Sequence, residues 1–309
     1  MDTNKNNIGY CCLCLSLESQ GVTTNRGMIK RTFLERGIEY ASELAVKNTH
    51  DLIKILEWNI SQGISMYRMS SDMFPWCSEY EIKDLPDFIE IQENLKKAGD
   101  LSMSNNLRLS FHPSPYCVIA SQNSDVVEKS IKELRQHGEM MDLMGLPRNH
   151  FYPINIHVNT SKPSKPESAE RFCQQFRNLP DTVKSRLVIE NDDKKSLFTP
   201  SELYDYLYLN INIPITFDYL HYKCNPDEGI SEETALRKCL STWPSNIRPL
   251  THYSDSRKLY EDANSKELSH SDWIYNKIET YGLEFSIELE VKMKDLALLR
   301  YIKDHMTSV

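Results

Sequence analysis

Short apolar segments alternate with longer amphipathic segments along the whole chain. Strands that alternate with helices are joined by right-handed crossovers and form a parallel sheet. Eight such units without a break in composition predict an α/β fold of the (β/α)8 TIM-barrel type, with residues 1–309 forming one domain. The predicted strands are Ile8–Cys11, Ser65–Met69, Leu107–Phe111, Pro153–His157, Leu187–Glu190, Pro214–Asp218, Arg248–His252 and Phe285–Glu290.

The segments between the strands carry apolar residues at helical spacing. Leu52, Leu56 and Ile60 recur every four residues, and a second apolar stripe runs through 127–141. Gly138 takes one place on that second stripe, where a missing side chain favours close packing at some cost in helix propensity. Both segments are therefore predicted as helices with one buried face.

Three loops are predicted between the strands and helices, and none of them is a Gly-rich phosphate loop. Residues 16–38 are predicted as a long first loop, and Pro163–Pro166 and Asn225–Gly229 as further loops. A two-domain, doubly wound sheet is the structural alternative. No Gly-rich phosphate loop follows any predicted strand, which disfavours that fold and a nucleotide cofactor.

Polar side chains stand where the predicted strands end. In a barrel the carboxyl ends of the strands form one rim, so these side chains are expected to converge on one pocket. Converging imidazoles and carboxylates must pair with each other or bind metal, and a carboxylate between histidines can bridge two ions about 3.5–4 Å apart. The residues are His112, His157, Glu190, Asp218, His221, His252, His270 and Glu290.

Each of these residues also has an ordinary structural interpretation. A lone buried histidine is usually a satisfied core residue, and an acid at a strand end often caps a helix. The combination of five histidines and three carboxylates favours a metal site over eight separate structural roles. The remaining histidines, His50, His137, His150 and His305, are predicted to be structural.

The charge and the cysteine content indicate which partners and which cellular compartment to expect. The chain has 36 basic and 44 acidic residues, so its net charge of -8 disfavours nucleic-acid binding unless a local basic strip or bound metal meets the phosphates. Hydrophobic residues make up 40% and charged residues 26%, as in a globular protein. The chain has no paired CxxC motifs, no apolar run near 20 residues and no signal-like N-terminus. We therefore expect a reduced, intracellular protein without a membrane span.

Eleven segments, in order along the chain, resemble the ultraviolet-damage endonuclease family, a relative of endonuclease IV among metal-dependent TIM barrels. Because the match covers nearly the whole length, it is more specific than any one motif. The segments are IGY at 8–10, TTNR at 23–26, YRMSSDMFPW at 67–76, LSFHPSPY at 109–116, DVVEKSI at 125–131, NIHVN at 155–159, VIENDD at 188–193, FDYLHYKCNP at 217–226, THYSDSR at 251–257, ANSKELSHSDW at 263–273 and LEVKMKDLALL at 289–299.

The resemblance implies a DNA-repair reaction. Such enzymes cut the phosphodiester on the 5′ side of an ultraviolet photoproduct, and often of an abasic site, in double-stranded DNA. The implied cofactors are two or three divalent ions, first Mn and otherwise Zn, Co or Fe, and a monomer is expected. All eight rim residues are implied as metal ligands, with Glu190, His157, Asp218 and Glu290 also assigned to catalysis.

DNA contacts are expected from loops on the same rim. An aromatic ring can wedge or stack where bases are unstacked, and cations meet the phosphates. The implied DNA-binding residues are Tyr10, Asn25, Arg26, Pro115, Tyr116, Arg257, Lys292 and Lys294. Lys30, Arg31 and Arg68 are further candidates for backbone contacts.

Three positions depart from the usual pattern of the family. Pro115 replaces a lesion-probing glutamine, and Glu79 stands where a histidine is common. Leu250 replaces a lysine that can be carboxylated and bridge metals, so water, hydroxide or a neighbouring carboxylate is expected to take its place, with Glu79 and Glu190 as the candidate carboxylates. Two alternatives stay open: a sugar isomerase of the xylose-isomerase type, and a barrel that binds damaged DNA with weakened catalysis.

Overall fold

A computed structural model describes residues 7–306, so part of the N-terminal segment considered above, residues 1–6, lies outside the described residues. Eight parallel strands form one sheet in the order β3-β2-β1-β8-β7-β6-β5-β4. A parallel bridge between Phe111 and Ile154 joins the two ends of this order, next to β3 and β4. The strands are β1 (Ile8–Cys11), β2 (Met66–Arg68), β3 (Arg108–Ser110), β4 (Ile154–Ile156), β5 (Leu187–Glu190), β6 (Ile215–Asp218), β7 (Leu250–Tyr253) and β8 (Ser286–Leu289).

This ring confirms the predicted TIM barrel and excludes the doubly wound alternative. All eight predicted strands are present, and β1 and β5 have the predicted bounds. The largest difference is at β7, which begins two residues later than expected and continues to Tyr253. In register, Asp218 lies opposite His252, and His252 lies opposite Glu288. Neighbouring strands therefore end together, which brings their last side chains to one rim.

Helices surround the ring and follow the strands in turn. They are α1 (Lys30–Ser61), α2 (Phe88–Ser104), α3 (Ser124–Leu143), α4 (Lys165–Asn178), α5 (Asp181–Lys184), α6 (Pro200–Leu203), α7 (Leu209–Ile211), α8 (Tyr219–Cys224), α9 (Glu232–Leu240), α10 (Arg257–Tyr260) and α11 (Lys294–His305). A π-helical turn, Tyr204–Tyr208, joins α6 to α7. Within residues 7–306, we find no helix with the length and apolar character that a bilayer crossing requires.

The prediction of one long loop over 16–38 is wrong at both ends. A 3-10 helix covers Leu15–Gln20, and α1 already begins at Lys30. Gly37 has φ 68° and interrupts the helical backbone without ending the helix. The residues before it, such as Leu34, are good helix formers, so a short helical segment forms on the N-terminal side of the break.

Two helical glycines allow elements to approach closely. A Cβ atom on Gly99 of α2 would lie 1.8 Å from the Met144 carbonyl oxygen. A Cβ atom on Gly138 of α3 would lie 3.0 Å from the Thr182 carbonyl oxygen of α5. The close packing predicted at Gly138 is thus confirmed, and the contact at Gly99 is tighter.

We predict that Gly99→Ala destabilises the protein, whereas Gly138→Ala leaves its stability within about 1 kcal/mol of wild type. Alanine gains about 1 kcal/mol of helix propensity at both positions. At Gly99 overpacking costs about 1–3 kcal/mol, and more where backbone must move, so the loss exceeds the gain. Chemical denaturation of the two variants measures the difference, and equal midpoints would contradict the close contact at Gly99.

Candidate metal centre

Seven of the eight predicted rim residues converge in one cluster at the strand ends. Glu190 and Asp218 end β5 and β6, and His252 is the penultimate residue of β7. His221 joins them because the Asp218 carboxylate caps α8 and accepts a hydrogen bond from the His221 backbone N–H at 2.6 Å. Ligand atoms lie within 4.8 Å of one another in three groups: His112, Glu190 and His252; His157, Glu190 and His221; Asp218, His252 and Glu290.

Glu190 lies at the centre of four imidazoles. Its Oε2 atom is 3.0 Å from His252 Nδ1, 3.2 Å from His112 Nε2 and 3.7 Å from His157 Nε2. Its Oε1 atom is 3.2 Å from His221 Nδ1. The side chain is fully buried, so one carboxylate links both histidine-rich groups without access to solvent.

His270 lies at the edge of this arrangement. Its Nε2 atom is 3.8 Å from Glu290 Oε2, while its Nδ1 atom is 2.7 Å from the Ser254 hydroxyl. The side chain is 30% exposed, whereas His252 is fully buried. His270 belongs to none of the three close groups, so the geometry places it beside the cluster and not inside it.

Several buried polar atoms at the centre have no hydrogen-bond partner among the described residues. They include Glu190 Oε1, Asp218 Oδ2, His157 Nδ1 and His252 Nδ1. Leaving a buried polar group unsatisfied costs about 1–3 kcal/mol, and more when the group is charged. Divalent cations would satisfy such atoms, and a set of imidazoles and carboxylates suits Mn, Zn, Co or Fe. The residues therefore fit a metal centre.

The electrostatics of the cluster are dominated by mutual charge attraction. Burial raises the pKa of Glu190, but the surrounding imidazoles outweigh it and hold that pKa well below its ordinary value. Burial lowers the pKa values of His221 and His252, but nearby carboxylates raise both well above the ordinary value. Burial and neighbouring carboxylates raise the pKa of Asp218. The raised pKa values favour protonated His221 and His252 when no metal is bound, and metal binding must displace those protons.

Three residues around the cluster were missed by sequence reasoning. The Asn155 side-chain amide donates to Glu190 Oε2, and Asp192 Oδ1 lies 3.4 Å from His157 Nδ1. Glu288 Oε2 lies 3.1 Å from the Nε2 atom of His252. Asn155 and Glu288 each stand two residues before a predicted ligand, and alternate strand residues point to the same face. That two-residue spacing is the sequence signal that points Asn155 and Glu288 toward the cluster.

Two expected DNA contacts are wrong because strand geometry buries the side chains. Tyr10 is fully buried, and its hydroxyl donates to Asn59 Oδ1 of α1 at 2.8 Å. Arg68 lies between two barrel carboxylates, pairing closely with Glu290 and lying 3.6 Å from Glu288. Neither side chain is exposed to a duplex at the rim.

Two positions that depart from the family pattern lie outside the three ligand groups. Glu79 is exposed in a 3-10 turn, and its Oε1 atom accepts a hydrogen bond from Ser78, so the expectation that it supplies the missing anion is wrong. Leu250 is fully buried and packs with the apolar side chains Met66, Val188 and Trp243. Neither residue therefore takes the place of the bridging lysine.

The loop after β3 carries the most exposed aromatic side chain of the rim. Tyr116 is 84% exposed, and Pro115 beside it is exposed. Glu133 of α3 holds the loop by accepting from the Ser114 backbone N–H at 2.7 Å and from its hydroxyl at 3.2 Å. The Asn159 amide donates to the Pro115 carbonyl at 3.3 Å. The loop is thus held at its base while the ring projects outward.

The basic candidates divide into paired and exposed side chains. Arg26 forms a 2.6 Å ion pair with Asp51, and Arg257 forms a 2.9 Å ion pair with Asp272. Both arginines are partly exposed, so a phosphate would have to share them with these acids. The remaining candidates are exposed at Asn25, Lys30, Arg31 and Lys292 and half-buried at Lys294.

Comparison with known proteins identifies relatives in sequence and in structure. Residues 6–309 match the family described as UV-endonuclease UvdE. A UV DNA damage endonuclease of Clostridium perfringens is 32% identical over 305 residues, 96% of this chain and 69% of that protein. The crystal structure of SacUVDE superposes with a TM-score of 0.82 at 30% identity, covering 96% of this chain and 97% of the other. Endonuclease IV from Thermus thermophilus shares the fold, with a TM-score of 0.54 at 16% identity over 82% and 93% of the two chains.

We predict that the metal-free protein loses stability as the pH rises above about 6.5, the ordinary pKa of histidine. The raised pKa values of His221 and His252 stabilise the fold fully below the ordinary histidine pKa of about 6.5, and this contribution is lost as pH rises through the raised values. Thermal unfolding in EDTA below and above this pH measures the effect. Glu190→Gln should make the profile less steep, because it removes a carboxylate that raises both pKa values, while Asp218 still acts on His221 and Glu290 on His252. A flat wild-type profile would contradict the charge balance.

Proposed function

Because the chain belongs to the UV-endonuclease UvdE family, a family of DNA-repair nucleases that act on UV damage, we propose that it is a metal-dependent enzyme that cuts DNA on the 5′ side of UV photoproducts. The observation that carries the metal dependence is Glu190, a buried carboxylate within 3.7 Å of three imidazoles through one oxygen and 3.2 Å from a fourth through the other. We extend the substrate proposal to abasic sites.

The proposed ligands are the eight rim residues, with His270 completing the set from its edge. Two or three divalent ions, of which Mn is our first choice, would activate water, neutralise the phosphoryl oxygens and stabilise the leaving oxygen. The proposed ligands are His112, His157, Glu190, Asp218, His221, His252, His270 and Glu290.

Charge at the rim explains how an acidic chain would accept DNA. The carboxylates of Glu190, Asp218 and Glu290 contribute -3 when ionised, and the imidazoles are neutral when they act as ligands. Two dications contribute +4, so the ions and the three ligand carboxylates together carry 4 − 3 = +1. Asp192 and Glu288 add -2 and Arg68 adds +1, so the wider centre carries 1 − 2 + 1 = 0. Metal loading would therefore remove the negative charge that repels a phosphodiester, although the whole chain has a net charge of -8.

Four residues are proposed to act closest to the reacting phosphate. Glu190 and Glu290 hold the centre together from β5 and the end of β8, and Asn155 orients the Glu190 carboxylate through its amide. His157 follows β4 and Asp218 ends β6, so the two residues face the centre from either side of β5. Their part is to fix positions and to remain unprotonated when loaded, since ionised carboxylates and neutral imidazoles are required for ligation.

DNA recognition is assigned to the exposed loops of the rim. Tyr116 projects from the clamped loop after β3, and an exposed ring of this kind stacks on an unpaired or distorted base. Asn25, Arg26, Arg257, Lys292 and Lys294 are proposed to contact the DNA backbone. We further propose that residues 1–309 act as one domain, as a monomer, inside the cell.

We predict that Glu190→Gln lowers incision by several orders of magnitude while the protein remains folded. The amide removes the negative charge shared by four imidazoles, and these can respond by losing their protons, so the barrel need not unfold. The assay measures nicking of duplexes carrying one photoproduct or one abasic site, with a panel of metals. Glu43→Gln, an exposed position on α1, is the matched control and should retain wild-type activity.

Near-normal incision by folded Glu190→Gln would contradict the central role of this carboxylate. Binding of damaged duplex by the wild-type protein without incision under any metal would favour the alternative of a damaged-DNA-binding barrel. Aldose substrates are tested beside the duplexes, because turnover of a sugar would favour the isomerase alternative.

We predict that Tyr116→Ala weakens binding of damaged DNA by about tenfold, because base stacking on an aromatic ring contributes about 1–3 kcal/mol. Tyr206→Ala, on the π-helical turn outside the barrel, is the matched control and should bind like wild type. Fluorescence anisotropy with damaged and undamaged duplexes measures both. An equal loss on undamaged DNA would instead indicate a general backbone contact.

A further inference from the structure

We propose that Glu288 is a positioning residue that holds the His252 imidazole from inside the barrel, so that Nδ1 of the ring faces the metal centre. This inference rests on the proposed function, since it assigns a partner to one of the proposed ligands. Glu288 itself belongs to none of the three groups of converging ligand atoms. Its role therefore differs from that of Glu190 and Glu290.

The two nitrogens of His252 face different carboxylates. Nδ1 lies 3.0 Å from Glu190 Oε2 and 3.2 Å from Glu290 Oε1, on the side of the cluster. Nε2 lies 3.1 Å from Glu288 Oε2. His252 and Glu288 are register partners on β7 and β8, so the backbone of two paired strands sets this approach.

Glu288 is itself held in place. The Ser110 hydroxyl of β3 donates to its Oε1 atom, and the Arg68 guanidinium of β2 lies 3.6 Å from its Oε2 atom. The carboxylate is fully buried. Contacts from two other strands, β2 and β3, thus fix the orientation of the Glu288 carboxylate toward His252.

Glu288 supplies a polar atom that faces the inner nitrogen of His252. His252 Nε2 and Glu288 Oε2 are buried and lie 3.1 Å apart, and neither atom has a hydrogen-bond partner among the described residues. Leu250, two residues before His252 on the same face of β7, packs among apolar side chains and offers no polar atom. The polar group beneath the ring therefore comes from the neighbouring strand, at Glu288.

A carboxylate in this place has a defined effect on a histidine ligand. When it accepts a hydrogen bond from one ring N–H, it fixes the tautomer and leaves the lone pair of the other nitrogen for the metal. Removing such a partner weakens metal binding by about 10–100-fold. For His252 the protonated nitrogen would be Nε2 and the ligating nitrogen Nδ1.

The first experiment measures metal affinity and not activity. The EDTA-stripped full chain is titrated with Mn²⁺ by calorimetry and with Co²⁺ by its visible absorption. Glu288→Leu is expected to bind about 10–100-fold more weakly, while Glu288→Gln, which keeps an acceptor oxygen, is expected to lose less. Asp295→Asn is the matched control, because that buried carboxylate accepts from the backbone of 15–16, away from the histidines of the rim.

The second experiment reads the tautomer in the wild-type protein, so it does not depend on a variant that folds. Nitrogen-15 NMR of the Zn²⁺-loaded chain should show His252 protonated at Nε2 and ligated through Nδ1. The opposite tautomer would overturn the proposal, as would unchanged metal affinity in Glu288→Leu or an equal loss in Asp295→Asn. If the wild type binds no metal, the proposed function fails as well; if only the Glu288 variants behave like wild type, this inference alone fails.

Discussion

The carboxylate of Glu190 is buried where four imidazoles meet, and the rest of the rim is arranged around that one charge. A buried carboxylate is costly unless cations or hydrogen bonds compensate it. When no metal is present, His157, His221 and His252, whose pKa values are raised, supply that compensation as imidazolium ions. Bound metal ions would compensate the same carboxylate in their place. Because each histidine comes from a different strand or the helix after it, satisfying Glu190 requires the barrel to close with its strand ends aligned.

Beneath this rim, the barrel interior contains an apolar part and a second layer of charged side chains. Leu250 contributes to the apolar part, while Glu288 and Arg68 place opposite charges directly below the histidines. This arrangement gives His252 a carboxylate on each side of its ring. Charge is thereby concentrated at the centre of a chain that is acidic overall, and metal ions would offset the negative charge where a phosphate approaches.

Some residues of the rim anchor a loop, and others are exposed on that loop to a ligand. Glu133 anchors the loop after β3 through Ser114, and the loop then projects Tyr116 into solvent. Tyr10 is an aromatic residue at a strand end as well, but its ring packs outward against α1. An aromatic residue at the rim is therefore available to a ligand only when its backbone has left the strand.

Sequence alone determined the eight strands, their parallel closure and most of the residues that converge, because hydrophobic alternation and strand-end polarity are local patterns. It also indicated the family, through motifs spread over nearly the whole chain. Tertiary structure alone decided that Tyr10 is buried, that Arg68 pairs with barrel carboxylates, that Glu79 lies outside the cluster and that Glu288 lies beneath His252. Those outcomes depend on which face of a strand a residue occupies and on which strand pairs beside it. A linear pattern does not specify such contacts, because they form between residues far apart in the chain.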